Sequence, residues 1–163
     1  MEKKKEFKSL GAKKTVYNFK YNCDLLERFE NENKENDYFV TLDAYEFTTL
    51  CPITGQPDFA SIYISYVPND YLVESKSLKL YLFSFRNNAG FHEDTINIIL
   101  KDLIKLLNPK YLEVFGIFAP RGGIAIYPFA NFAKKGCGYE EFKKTRGFEN
   151  LNNIVLGHRN YRN

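Results

Sequence analysis

The chain has 163 residues, 44% of them hydrophobic and 26% charged, which is the composition of an ordinary soluble domain. A formal net charge of +3 is too small to indicate a nucleic-acid-binding surface. No apolar run approaches the roughly 20 residues of a membrane helix, and none follows the N-terminus as in a secretory signal. We therefore expect a cytoplasmic protein that acts directly on neither a membrane nor a nucleic acid.

The three cysteines, Cys23, Cys51 and Cys137, are odd in number and widely spaced. That distribution favours free thiols in a reducing compartment over a disulfide framework. Only His92 and His158 accompany them, so the chain has no local zinc signature. A metal site assembled from distant residues would have few ligands to draw on, and we expect none.

A polar segment precedes the first predicted strands. Residues 1–36 are weakly patterned and predict an N-terminal arm to a domain at 37–132. Within that domain, apolar and polar residues alternate at 40–45 and again at 59–67, which predicts two strands. The prolines and the glycine between them predict a connecting loop, so we expect the two strands to form a hairpin.

The middle of the domain combines an ambiguous segment with a clear helix. Residues 75–86 fit a strand and a helix equally, because their apolar side chains satisfy both spacings. Apolar residues repeat at helical spacing through 92–107. Glu93 and Asp94 fall in its first turn, where the helix dipole favours acids.

Two apolar, β-rich runs at 111–119 and 124–132 are joined by a Pro-Arg-Gly-Gly turn and predict a second hairpin. If the ambiguous segment is helical, the order is ββααββ, an α+β domain. Residues 133–163 are polar and basic, and they predict a C-terminal extension.

Two pairs of side chains carry candidate chemistry. Cys51 and Asp58 stand at the two ends of the first hairpin loop, which brings a nucleophile and a proton donor near one pocket. Taken alone, a loop cysteine is more often a bystander, and a loop aspartate commonly caps a turn. His92 and Glu93 open the clear helix. Glu93 either interacts with the first-turn amides or accepts two hydrogen bonds from a guanine-like edge.

Two basic segments have equally open interpretations. The residues VESKSLKLY at 73–81 are also typical of an amphipathic helix whose lysines face solvent. Arg121 and the glycines after it could contact a phosphate, although such residues more often only form a hairpin turn.

Four motifs in this order resemble the short, single-module form of the 7-cyano-7-deazaguanine reductase family of queuosine biosynthesis. They are CPITGQPD at 51–58, VESKSLKLY at 73–81, FHED at 91–94 and PRGG at 120–123. The resemblance covers residues 10–132, and the second motif is diagnostic for the family. It implies a tunnelling fold, in which an antiparallel sheet carries two helices on one face and subunits join their sheets into a barrel. Residues 75–86 then become a helix. The resemblance also implies a homodecamer of two pentamers, with substrate pockets between subunits.

The family's functional residues carry over to this sequence by motif position. Cys51 becomes the nucleophile that forms a thioimide, Asp58 the proton donor and His92 a further catalytic residue. The implied substrate contacts are Val73, Glu74, Ser75, His92 and Glu93. The implied phosphate ligands of NADPH are Lys76, Lys79 and Arg121.

The implied reaction reduces the nitrile of 7-cyano-7-deazaguanine to an aminomethyl group, consuming two NADPH and needing no metal. A nitrile is a poor hydride acceptor, and attack by a cysteine thiolate converts it into a thioimide that accepts hydride more readily. Two other interpretations stay open. One is a pterin cyclohydrolase or synthase of the same fold, whose zinc-dependent members need ligands that are scarce here. The other is a non-catalytic RNA-binding module, against which the small net charge weighs.

Overall fold

The computed structural model describes residues 17–147. Its strands are β1 (Arg28–Glu30), β2 (Val40–Leu50), β3 (Pro57–Val67), β4 (Tyr71–Val73), β5 (Tyr111–Phe118) and β6 (Phe129–Ala133). Its α-helices are α1 (Ser75–Ser84) and α2 (His92–Leu107), with 3-10 turns at Cys23–Leu25 and Phe85–Asn87. Residues 140–147 are also helical. The predicted arm and extension are described only in part, because residues 1–16 and 148–163, His158 included, lie outside the described range.

The main sheet is antiparallel and has four strands in the order β2-β3-β5-β6. Both predicted hairpins are confirmed. In the first, the register runs from Val40 opposite Tyr66 to Leu50 opposite Pro57. The second has a shorter final strand than the apolar run predicted, since β6 begins at Phe129. Its neighbour Pro128 has no N–H to donate, which interrupts the ladder at that residue.

Both helices pack on one face of this sheet, as expected. Alternate residues of β3 are buried on that face, among them Ile62, Ile64 and Tyr66. The apolar stripe of α2 that meets them contains Ile96, Ile99, Leu100, Leu103 and Leu107. The segment at 75–86 is helical, which resolves the ambiguity of its spacing. Glu74 caps its start, accepting hydrogen bonds from the backbone N–H of Lys76 at 2.9 Å and of Ser77 at 2.7 Å.

A second, two-stranded sheet is formed by β1 and β4. Neither strand was predicted, because three residues are too few to show an alternating pattern. The segment around β1 also holds the helices together. The hydroxyls of Tyr21 and Tyr81 both donate to the Asp102 carboxylate, at 2.7 and 2.6 Å. The backbone N–H of Glu27 donates to Ser77 Oγ at 2.9 Å, close to the start of α1.

The other face of the main sheet carries a row of aromatic rings, one from each strand. Ring centroids are 6.1 Å apart between Tyr45 and Tyr63, 6.2 Å between Tyr63 and Phe115, and 6.5 Å between Phe115 and Phe129. Two of these contacts are edge-on and one is tilted, and the edge-on arrangement is a favourable geometry for aromatic pairs. Over residues 17–147, none of the helices has the length and apolar character needed to cross a bilayer.

Candidate active site

Cys51 stands at the start of the loop between β2 and β3, and this loop is closed by its own backbone. The N–H of Cys51 donates to the carbonyl of Gln56, and the N–H of Gly55 donates to the carbonyl of Cys51, both at 2.9 Å. Gly55 has a φ of 69°, a left-handed conformation that glycine adopts without steric cost. The loop therefore presents the thiol from a defined position.

Hydrogen bonds around the sulfur favour its ionised form. The side chain of Thr54 is the main cause, followed by the backbones of Thr54 and Ile53 and the side chain of Arg121, and together they lower the pKa of Cys51 from 9.0 to about 6. A thiol with such a pKa is about 90% thiolate at pH 7, whereas one with the ordinary value is about 1% thiolate. Cys51 thus has the ionisation expected of a nucleophile.

Asp58 lies in β3 at the far end of the hairpin loop that Cys51 begins, and Arg121 contacts both side chains. Asp58 is opposite Thr49 in the ladder, and it is only 4% exposed. One carboxylate oxygen, Oδ1, forms an ion pair with the guanidinium of Arg121. The other, Oδ2, is 3.2 Å from His92 Nε2. Both oxygens of this buried carboxylate are therefore engaged, as burial of a charge requires.

His92 is the first residue of α2, and its ring stacks on Phe118 with centroids 3.9 Å apart and an interplanar angle of 11°. This contact directs Nε2 at Asp58. The opposite ring nitrogen, Nδ1, is buried and has no hydrogen-bond partner among the described residues. A buried polar atom without a hydrogen bond destabilises the fold unless a ligand or another chain supplies the partner.

Glu93 follows His92 and is exposed. Within the described part of the chain its carboxylate makes no hydrogen bond or ion pair, although it lies in the first turn of α2. The N-cap position of α2 is Phe91, which makes no side-chain capping bond. Glu93 is therefore available to accept hydrogen bonds from a ligand near His92.

We refer to Cys51, Asp58, His92 and Arg121 as the Cys51 cluster. The structure brings three predicted site residues together here with Arg121, which had been expected to bind the phosphates of NADPH with Lys76 and Lys79. Sequence reasoning missed Thr54, which lies next to this cluster and is the main cause of the thiol's lowered pKa. Its position inside the loop motif, three residues after the cysteine, was the available signal.

The other predicted residues lie around the start of α1. Val73 is buried in β4, and Glu74 is 6% exposed with its carboxylate capping the helix. Ser75 and Lys79 line a cavity of about 680 Å³ between β2 and α1, which we call the groove. Lys76 is half-buried at the same helix end.

The groove combines two cations with aromatic and acidic side chains. Arg86 lies two helical turns beyond Lys79 and lines the same cavity, with its guanidinium 4.6 Å from the centre of the Phe83 ring. Asp43 and Glu46 contribute acidic groups from β2. Arg86 was not predicted, although its spacing of seven residues from Lys79 places both on one side of a helix.

No group of three or more His, Cys, Asp or Glu side chains suited to a metal ion occurs within residues 17–147.

Comparisons with known proteins show the family to which this chain belongs. A family model described as QueF-like protein matches residues 57–136. An NADPH-dependent 7-cyano-7-deazaguanine reductase of Alkaliphilus metalliredigens is 60% identical over 150 residues, covering 88% of this chain and 90% of that protein. The enzyme of the same name from Bacteroides thetaiotaomicron is 59% identical over 146 residues, covering 90% and 97%.

One solved structure resembles the fold. It is the archaeosine synthase QueF-Like in its apo form, with a TM-score of 0.54 and 22% sequence identity, covering 57% of this chain and 91% of that chain. Together with the ββααββ order of the main sheet and its two helices, this likeness confirms the tunnelling fold of the single chain.

Proposed function

Because the chain belongs to the family of NADPH-dependent 7-cyano-7-deazaguanine reductases, we propose that it reduces the nitrile of 7-cyano-7-deazaguanine to an aminomethyl group. The reaction serves the biosynthesis of queuosine, a modified nucleoside of tRNA, and its substrate is the free base and not a nucleic acid. The observation that carries the proposal is the Cys51 thiol of lowered pKa, hydrogen-bonded to an arginine that also pairs with Asp58.

The covalent step begins with the thiolate. Sγ of Cys51 adds to the nitrile carbon, and an electron pair of the carbon–nitrogen triple bond moves onto the nitrogen. A proton from His92 Nε2, 3.2 Å from Oδ2, passes through Asp58 to that nitrogen, giving a neutral thioimide and leaving His92 neutral and Asp58 as the carboxylate that pairs with Arg121. No base has to deprotonate Cys51 first, because a pKa of about 6 leaves it ionised at neutral pH.

Recognition of the base rests on Glu93 and His92. A carboxylate accepts two hydrogen bonds, and the guanine-like edge of the substrate offers a ring N–H and an exocyclic amino group. Glu93 is available for that pairing, and the unpartnered Nδ1 of His92 gives the bound ligand or a neighbouring subunit a further polar contact. A base lacking the amino group would leave Glu93 with one unmatched oxygen, which makes this pairing selective.

NADPH, when bound, would supply the two hydrides that reduction of a nitrile to an amine requires. The side chains of the groove fit such an anionic cofactor, since Lys79 and Arg86 offer two cations beside aromatic rings. Lys76 stands one helical turn before Lys79 and is proposed with it as a phosphate ligand. Arg121, the third residue implied for the phosphates, lies in the Cys51 cluster.

The site is completed between subunits of a cytoplasmic homodecamer made of two pentamers. Within residues 17–147, the outer edges of β2 and β6 pair with no further named strand, apart from a bridge between Leu50 and Ala89, so both edges are available for pairing with another chain. The aromatic row on the uncovered face supports closure of several sheets into a barrel. Within one chain, Ser75 lines the groove and not the Cys51 cluster, so we assign Val73, Glu74 and Ser75 to the substrate pocket of a neighbouring subunit.

The proposal is tested by adding 7-cyano-7-deazaguanine to the purified protein with NADPH and following absorbance at about 340 nm, where the reduced nicotinamide absorbs. Without NADPH, intact-mass spectrometry should show one substrate added per chain, and Cys51→Ser should abolish this adduct. Cys137→Ser is the matched control and should retain it. An adduct that persists in Cys51→Ser, or a wild-type protein that oxidises no NADPH, would contradict the proposal.

A further inference from the structure

The guanidinium of Arg121 connects two other members of the Cys51 cluster with the loop between them. It forms the ion pair with Asp58 Oδ1, donates from the same terminal nitrogen to the carbonyl oxygen of Gln56 at 3.1 Å, and hydrogen-bonds the thiol of Cys51. Gln56 is the residue whose carbonyl also accepts the N–H of Cys51. Arg121 therefore ties the nucleophile, the proton donor and the loop between them to one planar group.

A tight turn sets the direction of this side chain. Arg121 and Ile124 exchange two backbone hydrogen bonds, each of 2.9 Å, around Gly122 and Gly123. Both glycines have left-handed backbone conformations, with φ of 56° and 82°. Positive φ at both central residues is the signature of a type I′ hairpin turn, which side-chain-bearing residues adopt poorly. The PRGG motif thus holds the backbone of Arg121 in a tight turn, which fixes the direction of its side chain.

Electrostatics argue against a second role for this cation at a phosphate. Asp58 is 4% exposed, and a buried carboxylate needs a partner of opposite charge. If a phosphate withdrew the guanidinium, Asp58 would lose the ion pair in its buried position. By contrast, Lys79 is exposed and lines the groove, so binding a phosphate there would not take a cation away from a buried acid.

We infer that Arg121 is a positioning residue for the covalent step, holding Asp58 and the loop that carries Cys51 in the reactive arrangement, and not a phosphate ligand of the cofactor. The inference rests on the proposed function, because it assigns a task within that reaction. The planar fork of the guanidinium is what meets several acceptors at once, so a lysine, with the same charge at one point, cannot replace it fully.

The experiment compares Arg121→Gln and Arg121→Lys with Lys79→Gln in three measurements. The first is the pH midpoint for reaction of Cys51 with 4,4′-dithiodipyridine, in a background lacking the other two cysteines. The second is the rate of adduct formation with 7-cyano-7-deazaguanine in the absence of NADPH. The third is KM for NADPH in steady state.

Arg121→Gln should raise the pH midpoint and slow adduct formation by about 100-fold, the scale expected when reacting groups are misplaced. Added guanidinium ion should restore part of that rate, and Arg121→Lys should fall between the wild type and the glutamine variant. KM for NADPH should stay within about twofold in both. Lys79→Gln should show the reverse, with an unchanged thiol midpoint and a raised KM.

The inference is overturned if Arg121→Gln raises KM for NADPH about tenfold or more while the midpoint and the adduct rate stay at wild-type values. The thiol midpoint needs neither substrate nor cofactor, so it separates this failure from failure of the proposed function. A wild-type protein that forms no adduct contradicts the function. An unchanged midpoint in Arg121→Gln contradicts the positioning role. A melting curve for each variant checks that the exposed turn has not unfolded.

Discussion

Replacing Thr54 by valine tests directly how the loop ionises Cys51. The threonine hydroxyl is the largest of the four hydrogen-bond contributions that lower the pKa of Cys51 from 9.0 to about 6. It also accepts a hydrogen bond from the backbone N–H of Gln56 at 3.4 Å, which orients it in the loop. Valine has nearly the same shape but can neither donate nor accept, so the change removes the interaction with little change in volume.

The expected shift in the pKa of Cys51 follows from the share of each hydrogen bond in the total lowering. Four contributions share about three pH units, so the largest accounts for at least about 0.75 unit, and we expect the midpoint to rise by about one pH unit. At pH 6 the thiolate fraction then falls from about one half to about one tenth. The remaining thiolate is more basic and about threefold more nucleophilic, given a Brønsted coefficient of about 0.4–0.5.

Combining both effects, Thr54→Val should react with a disulfide about twofold more slowly than wild type at pH 6 and about threefold faster above pH 8. The two rate profiles should therefore cross near neutral pH. The assay is stopped-flow reaction with 4,4′-dithiodipyridine in a Cys23→Ser, Cys137→Ser background, and Thr54→Ser serves as the control that keeps the hydroxyl. An unchanged midpoint in the valine variant, or an equal shift in the serine variant, would refute the role of the hydroxyl.

Three further changes test recognition and packing. Glu93→Gln should raise KM for 7-cyano-7-deazaguanine about 100-fold with an unchanged melting temperature, because one acceptor becomes a donor; an unaltered KM excludes Glu93 as the base-reading group. Gly116→Ala should destabilise the fold by about 1–2 kcal/mol in urea unfolding, since the new Cβ would lie 2.8 Å from Cδ1 of Ile96. That cost should shrink in an Ile96→Val background, which lacks this atom, and an equal cost in both backgrounds would reject the clash. Tyr21→Phe should lower stability by about 1 kcal/mol through loss of its hydrogen bond to Asp102, and an unchanged urea midpoint would show that this bond contributes nothing.

Local spacing along the chain was sufficient for the helix at 92–107 and for both hairpins. Each depends on apolar residues recurring at a period that only one regular structure satisfies, interrupted by proline and glycine. The hairpin also placed Cys51 and Asp58 together, since the ends of a hairpin loop are neighbours whatever the rest of the protein does. The motifs then identified the family, because particular residue types at fixed positions are specific, whereas the overall composition is that of an ordinary soluble domain.

The segment at 75–86 shows where local information ends. Its apolar side chains satisfy two periods, and the outcome depends on the Glu74 cap and on burial of Leu78, Tyr81 and Leu82 against the sheet. The pairing of β1 with β4 is similar, because strands of three residues gain their stability from contacts with the rest of the domain.

By itself, then, the sequence determined the helix and the two hairpins with strong periodicity and the family, and it singled out Cys51 as the candidate nucleophile. Only the tertiary structure decided that Arg121 meets Asp58 and Cys51. Arg121 and its loop partner Gln56 are 65 residues apart, and they come together because β3 and β5 are adjacent strands whose loops open at the same end of the sheet. Charges in loops carry no periodic signal, so which of them become neighbours depends on strand order and register, which no local spacing records.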